Sequence, residues 1–264
     1  MTGSLTVVTL NTWKCDGAYW RRLPLMARAL AEAAPDVVFL QEVLRAPEPD
    51  GADTSARLAA ATGLRAHDAP ARPGRRLMGA RWVDSWSGLT ILSRWPLRTE
   101  RLPLPVRDGG GDWDRLALIG RGETPFGPLI LVNLHLTHPP ADTVMRGRQM
   151  EILLDHLAAT AGAPVILGGD FNDRPGSPPL DSLAKDARWT ARNAVPASGG
   201  AFFATAPDNT GDSIDHLFLL QAPGTPPWRV VSAGAVGDWR EDGVAPSDHI
   251  GVRAVFRPPT GDDG

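Results

Sequence analysis

Six polar clusters interrupt otherwise apolar stretches of this 264-residue chain: Leu10-Asn11-Thr12-Trp13, Leu40-Gln41-Glu42, Asn133-Leu134-His135, Gly169-Asp170-Phe171-Asn172, Ile214-Asp215-His216 and Ser247-Asp248-His249. Any one alone reads as a turn former or helix cap. Together they pool carboxylates, amides and imidazoles without a thiolate. Oxygen-rich donors of this kind suit Mg2+, Mn2+ or Ca2+ better than zinc. A hard cation beside a carboxylate-oriented imidazole meets the demands of phosphate-ester hydrolysis. It neutralises charge on the phosphoryl oxygens, helps place a water in line and stabilises the leaving oxygen. The run from Gly168 to Asp173 is not a calcium loop, because Arg174 and Pro175 stand where a further oxygen ligand and a glycine would follow. Its two glycines permit a tight turn and close approach to a ligand. An extended chain beyond them would put Asn172 on the same side as Asp170.

Positioning such a set requires strands that end near one another, and the apolar pattern predicts them. Residues 5–10 read as a β-branched first strand, and 37–40 as a short buried strand ending at Gln41-Glu42. Further strands are expected over 89–92, 116–119, 129–136, 165–167, 214–220, 230–235 and 250–256. Leu23, Met26, Leu30 and Ala33 recur at helical spacing before Pro35. Helices are also expected over 55–61 and 144–159, the latter with Met145, Ile152, Leu153 and Leu157 as its inner face. No linker or repeat divides the pattern, so one domain over residues 1–257 with a frayed tail over 258–264 is predicted. Residues 108–112, Asp-Gly-Gly-Gly-Asp, read as a flexible connection and lack the Gly-Lys-Ser/Thr of a P-loop.

Composition narrows the function classes. The net charge of −3 argues against a globally basic nucleic-acid binder, and Cys15, the one cysteine, excludes an intrachain disulfide and a cysteine-based zinc site. No apolar run reaches the roughly 18 residues of a transmembrane helix. No secretory signal is recognised at the N-terminus. A cytoplasmic monomer with no obligate protein partner is expected. Arg72, Arg75, Arg76 and Arg81 cluster around Pro73 and Gly74; a solvated loop is the favoured reading over a phosphate-binding patch.

The ordered set Leu-Asn-Thr-Trp (10–13), Gln-Glu-Val (41–43), Gly-Leu-Thr-Ile-Leu-Ser-Arg (88–94), Asn-Leu-His-Leu (133–136), Gly-Gly-Asp-Phe-Asn (168–172), Ser-Ile-Asp-His (213–216) and Ser-Asp-His (247–249) resembles the endonuclease/exonuclease/phosphatase superfamily of DNase I-like metal-dependent phosphohydrolases. Order and spacing both match, from about residue 5 to residue 256. The resemblance implies an α/β (α+β) fold, a four-layered α/β/β/α sandwich of two mixed sheets flanked by helices. It implies Glu42 as the main metal ligand, with Asn11 and Asp248 in the metal and phosphate shell. Asp170 would orient or deprotonate the attacking water, and Asn172 would hold the phosphoryl group. His249 would contact the phosphate, Asp215 would fix and charge its imidazole, and His135 would hydrogen-bond a non-bridging or leaving oxygen. Trp13 stands where abasic-site endonucleases carry a second carboxylate, and Asp16 is out of register, so one principal ion is expected. Tyr19, the one tyrosine, lies outside the motif order.

The other histidines have plainer readings. His138, three residues past His135 on an extended strand, faces away and belongs to a loop. His216 packs beside Asp215, and His67 and His156 are structural or surface residues. Of the nine tryptophans, Trp13, Trp82, Trp86 and Trp113 adjoin motif loops and are candidates to line a cleft. The leading expectation is a Mg2+-dependent phosphodiesterase, with Mn2+ or Ca2+ as alternatives. Its phosphate-ester substrate is either a nucleic acid or a small molecule. A phosphomonoesterase and a non-catalytic binding protein on the same fold are the rivals.

Overall fold

A computed structural model describes residues 3–46, 53–106, 115–160, 162–225 and 227–259. The connection at 108–112, Trp113 and residues 260–264 of the tail lie outside the described residues. The elements run β1 (Leu5–Asn11), α1 (Tyr19–Ala33), β2 (Val37–Arg45), α2 (Thr54–Thr62), β3 (Arg65–Met78), β4 (Arg81–Ser93), β5 (Arg98–Pro103), β6 (Leu116–Thr124) and β7 (Gly127–His135). They continue with α3 (Thr143–Thr160), β8 (Val165–Asp170), α4 (Pro178–Lys185), β9 (Thr190–Asn193), α5 (Ala194–Ala197), β10 (Asp215–Gln221), β11 (Arg229–Val236) and β12 (Gly251–Arg257).

The strands form two six-stranded sheets, ordered β11-β12-β1-β2-β4-β3 and β5-β6-β7-β8-β10-β9. Alternation along single strands builds the layers. In β1, Leu5 and Val7 face the interior between the sheets, where they join Phe39, Ile91, Leu131 and Ile166. Val8 and Leu10 face the other way, onto Met26 and Leu30 of α1 and Leu58 of α2. In the second sheet Val165 and Leu167 turn outward, to the side where Leu153 and Leu157 of α3 and Leu183 of α4 pack. The result is the expected four-layered helix–sheet–sheet–helix sandwich. Among the described residues no helix is long and apolar enough to cross a membrane.

Polar side chains also cross between the sheets. Gln41 Nε2 donates to Asn133 Oδ1 at 2.7 Å, and Asn133 Nδ2 donates to the carbonyls of Leu40 (2.8 Å) and Thr90 (2.9 Å). Both residues are fully buried. A buried amide with its partners in place costs little, whereas removing one partner costs about 1–3 kcal/mol.

The structure corrects several expectations. Residues 72–81 are not a loop but the end of the β3–β4 hairpin, with Arg75 opposite Asp84 and Arg76 opposite Val83. Pro70 and Pro73 disguise β3; the strand tolerates them because it lies at the sheet edge and carries an irregularity between Pro70 and Arg72. β2 does not stop at Gln41-Glu42 but continues to Arg45, with a register shift between Leu40 and Val43. The buried face of α3 is Arg146, Gln149, Met150, Leu153, Leu154 and Leu157, whereas Met145 and Ile152 are only partly covered. Gly169 lies within β8, so it makes no turn there; a Cβ at this position would sit 2.0 Å from the Leu134 carbonyl. It is a glycine because β7 passes too close for any side chain.

His216 behaves as a packing residue with a measurable consequence. It is buried among Phe171, Phe202 and Phe218. Its Nε2 lies 3.1 Å from the Asp173 carbonyl, which can only accept, so Nδ1 accepts from the Asn193 amide at 3.3 Å. Burial pulls its pKa down to about 4. An unfolded chain therefore binds one more proton than the fold between about pH 6.5 and 4, and stability falls as the pH drops through that window. Urea unfolding at pH 7 and pH 4.5 is expected to show His216→Gln losing about 2 kcal/mol less than the wild type on acidification. Equal losses would place the acid sensitivity elsewhere.

Candidate active site

Strand direction gathers the polar clusters. β1 and β2 are parallel, with Asn11 beside Gln41, and β7 and β8 are parallel, with His135 beside Asp170. β10 runs antiparallel to β8, so its first residue, Asp215, lies opposite the last residue of β8, Asp170. Ser247 closes the ring from the first sheet, its Oγ donating to the Asn11 carbonyl at 2.6 Å and accepting from the His249 N–H at 3.3 Å. Asn11, Glu42, His135, Asp170, Asn172, Asp248 and His249 all line one cleft of about 360 Å³. Asp215 stands behind His249, 1% exposed.

The carboxylate of Asp170 is held from two sides. Asn11 Nδ2 donates to its Oδ2 at 3.0 Å, and the Asn172 N–H donates to Oδ1 at 2.9 Å. Asn172 is left-handed (φ 50°) rather than extended, so it folds back over Asp170 instead of continuing the strand. Its Nδ2 donates to the Leu136 carbonyl at 3.0 Å and its Oδ1 meets His138 Nδ1 at 3.3 Å. His138 therefore lines the cleft, contrary to the loop-only reading. Trp13 also lines the cleft, whereas Trp82 and Trp86 are exposed on β4. Trp13, Lys14, Glu42 and Asn172 are four of the six non-glycine residues with positive φ among the described residues. Such conformations cost about 1–3 kcal/mol each and concentrate where a site needs them.

Charge is sorted within the cleft. His249 Nδ1 lies 2.8 Å from Asp215 Oδ2, and its Nε2 lies 4.0 Å from Asp170 Oδ2. Burial pulls the His249 pKa down, but Asp215, through its charge and hydrogen bond, together with Asp170 and Asp248 outweighs it and lifts the pKa to about 10, so the ring is an imidazolium at neutral pH. Burial, followed by the nearby Asp215, pushes the Asp170 carboxyl up, and burial together with Glu42 does the same to Asp248. His135 Nε2 sits 3.5 Å from Asp170 Oδ2. Burial, then Arg115, His249, Lys14 and Arg72, hold it well below the ordinary histidine range, so it is neutral.

Two buried arginines brace the loops. Arg22 donates to the carbonyls of Asp16, Thr12, Pro246, Trp13 and Lys14 at 3.0–3.2 Å. It ties the loop after Asn11 to the segment leading into Asp248. Arg146 donates to the carbonyls of Thr137, Pro139 and Pro140 and pairs with Asp173 at 2.8 Å, bracing the turn that carries Asn172. Neither arginine, nor Lys14 or Arg115, was picked out by the sequence. An arginine at an inward-facing helical position was the available signal for Arg22 and Arg146.

These residues fit a hard divalent cation. Glu42 Oε2 already draws the Lys14 ammonium to 2.9 Å, and Asp170 and Asp248 are pushed up first by burial and then by a neighbouring carboxylate, both of which a bound cation would relieve. Among the described residues, the group whose donor atoms all lie within 4.8 Å of one another is Asp170, Asp215 and His249. An ion centred there would have to break the short His249–Asp215 hydrogen bond. Glu42, Asn11 and Asp248 offer an alternative set that leaves the His249–Asp215 bond intact, although Glu42 Oε2 would have to give up Lys14 and Asn11 Oδ1 the Trp13 N–H.

Residues 8–249 match the model of the Endonuclease/Exonuclease/phosphatase family. Among solved structures the chain is similar to the endonuclease/exonuclease/phosphatase from Beutenbergia cavernae DSM 12333, at 26% identity and a TM-score of 0.70, over 97% of this chain and 72% of that one. It is also similar to an endonuclease/exonuclease/phosphatase family protein from Bacteroides thetaiotaomicron, at 17% identity and a TM-score of 0.70, over 98% and 100%. Truncated Caenorhabditis elegans TDP2 aligns at 20% identity and a TM-score of 0.65, over 96% and 98%. The latter two likenesses speak for the fold alone. No curated protein matches the sequence.

Proposed function

We propose that this chain, which belongs to the endonuclease/exonuclease/phosphatase family, is a divalent-metal-dependent hydrolase that cleaves phosphodiesters, built as one catalytic domain over residues 1–257. The observation that carries this reading is the Asp170 carboxylate, gripped by Asn11 and Asn172 and set beside an imidazolium charged by Asp215. Glu42, Asn11 and Asp248 would hold Mg2+, with Mn2+ or Ca2+ as substitutes. When bound, the ion neutralises charge on the phosphoryl oxygens and the leaving oxygen.

Asp170 does the proton work. Its raised pKa makes it a stronger base than an ordinary carboxylate while leaving it available near neutral pH. It takes a proton from the attacking water as the water oxygen bonds to phosphorus and the bond to the leaving oxygen breaks. The leaving oxygen then takes a proton from solvent. His249, fixed as a cation, donates from Nε2 to a non-bridging oxygen whose charge grows in the transition state. Neutral His135 hydrogen-bonds the leaving or a non-bridging oxygen without giving up its proton. The Asn172 amide turns from the Leu136 carbonyl to the phosphoryl group. Asp215 positions His249 without touching substrate.

A panel of bis-p-nitrophenyl phosphate, p-nitrophenyl phosphate, single- and double-stranded nucleic acid, sphingomyelin and inositol phosphates tests the reading. Turnover of a diester with Mg2+, lost in EDTA and regained on adding the ion back, is the expected result. Turnover of monoesters alone would make the protein a phosphomonoesterase. EDTA-resistant turnover would remove the metal from the scheme. Silence across the panel would favour a binding protein on this fold.

A further inference from the structure

Glu42, the carboxylate assigned to the metal, is taken by a lysine. The Lys14 ammonium lies 2.9 Å from Glu42 Oε2 and 3.6 Å from Asp16 Oδ2. The backbone that carries it is stiff. Trp13 and Lys14 are consecutive left-handed residues, with φ of 53° and 39°. Arg22 holds both of their carbonyls, and the Lys14 N–H donates to the Glu42 carbonyl at 3.2 Å. The freedom left lies in the side chain, which lines the cleft and is 24% exposed. After burial, Arg115 and His249, Lys14 is the next influence that keeps the His135 ring neutral. Its charge therefore reaches the histidine proposed to meet the substrate's oxygens.

Lysine suits a change of partner. A guanidinium locks onto a carboxylate as a fork, whereas an ammonium is a compact charge on a flexible four-carbon stem. Lys14 and Lys185 are the only lysines among 27 lysine and arginine residues. Beside Glu42 the chain thus places the exchangeable kind of cation, where elsewhere it uses the locking kind. A divalent ion and the ammonium cannot both take Glu42 Oε2. Asp16, the other anion in reach, is 52% exposed, and an ion pair in such a setting is worth about 0–1 kcal/mol. A phosphate ester entering the cleft offers oxygens shielded from bulk water, and charge-assisted hydrogen bonds to them are about twice as strong as neutral ones. We propose that Lys14 is an exchangeable cation, holding Glu42 while the ion is absent and turning to the phosphate once the ion has taken Glu42. The inference rests on the metal-dependent reading of the same cleft and adds a substrate-binding residue to it. It also sets an order, ion before phosphate, because the ion frees the group that grips the phosphate.

Acetylation of the wild-type protein with N-acetoxysuccinimide, read by peptide mass spectrometry, reports how freely Lys14 reacts. Lys185, 76% exposed on α4, is the internal reference. Labelling is compared without ligand, with Mg2+, with inorganic phosphate and with both. Mg2+ alone is expected to speed Lys14 labelling about threefold or more relative to Lys185, as the ion pair is broken. Phosphate added to the Mg2+-loaded protein should slow it again, whereas phosphate without Mg2+ should change it little. In calorimetry Lys14→Met should bind Mg2+ about threefold or more tightly, because its competitor is gone. The Mg2+-loaded variant should bind phosphate about tenfold more weakly than the loaded wild type. Lys14 labelling that Mg2+ leaves unchanged would overturn the exchange. Labelling that Mg2+ speeds but phosphate fails to slow would also overturn it, with the ammonium resting on Asp16 instead. Either result, obtained alongside Mg2+ binding and diester turnover, sinks this inference and leaves the proposed function standing. The full exchange without turnover of any ester would do the reverse.

Discussion

Asp170→Asn is expected to lower kcat about a thousandfold on whichever diester the enzyme turns over, with KM changed far less. Asparagine keeps the shape and one acceptor for the Asn172 N–H, but it cannot take a proton from water. The new amide NH2 would face the Asn11 Nδ2 donor, a loss of about 1–3 kcal/mol that is partly offset by removing a carboxyl that burial penalises, so the variant should still fold with a modestly lower melting temperature. The decisive observation is the pairing of lost turnover with an intact fold, read from kinetics and thermal unfolding on one preparation. A variant retaining turnover within tenfold of the wild type would remove Asp170 as the base.

The second large effect concerns the His249–Asp215 pair and is a matter of non-additivity. His249→Asn should lower kcat about a thousandfold, because the cation facing the phosphoryl oxygens is gone. Asparagine can still donate to Asp215, which avoids leaving a buried carboxylate without a partner. Asp215→Asn alone should cost about a hundredfold, through a ring no longer held charged. If Asp215 works only through His249, the double variant is no worse than His249→Asn. The other possibility is an ion on Asp170, Asp215 and His249, where Asp215 Oδ1 is buried without a hydrogen-bond partner. In that case Asp215→Asn would raise the Mg2+ concentration needed for half-maximal activity, and the double variant would fall well below either single one. A double-mutant cycle across a Mg2+ titration separates the two arrangements.

Much of the fold was legible because its central strands are short, apolar and β-branched. Residues 5–10, 165–167 and 214–220 sit where the pattern put them, within β1 and β8 and along β10. The hidden elements were hidden for local reasons. β3 carries Pro70, Pro73 and Gly74, which only a sheet edge accepts, and β5 and β9 are partly exposed edge strands with little apolar signal. The eight candidate residues could be found because they follow motifs at strand ends, and seven of them line one cleft. What the sequence withheld was their orientation. Asn172 reaches Asp170 through a left-handed backbone rather than an extended one, and Glu42 lies in a strand irregularity instead of past a strand end. Two arginines of the cleft were harder still: Arg72 showed only within a cluster read as a solvated loop, and nothing local distinguishes Arg115 from the other arginines of the sequence.

The amide contact between Gln41 and Asn133 acts like the pin of a caliper. One jaw carries Asn11, Glu42 and Asp248, the other His135, Asp170 and Asn172, and the pin fixes how far apart they stand. Shortening the pin by one methylene, as Gln41→Asn would, changes the gap across which a phosphate must be gripped from both sides. If the proposed reaction is right, turnover is therefore expected to depend on a length set deep in the interior, at a residue outside the cleft lining, and Gln41→Asn kinetics would read it.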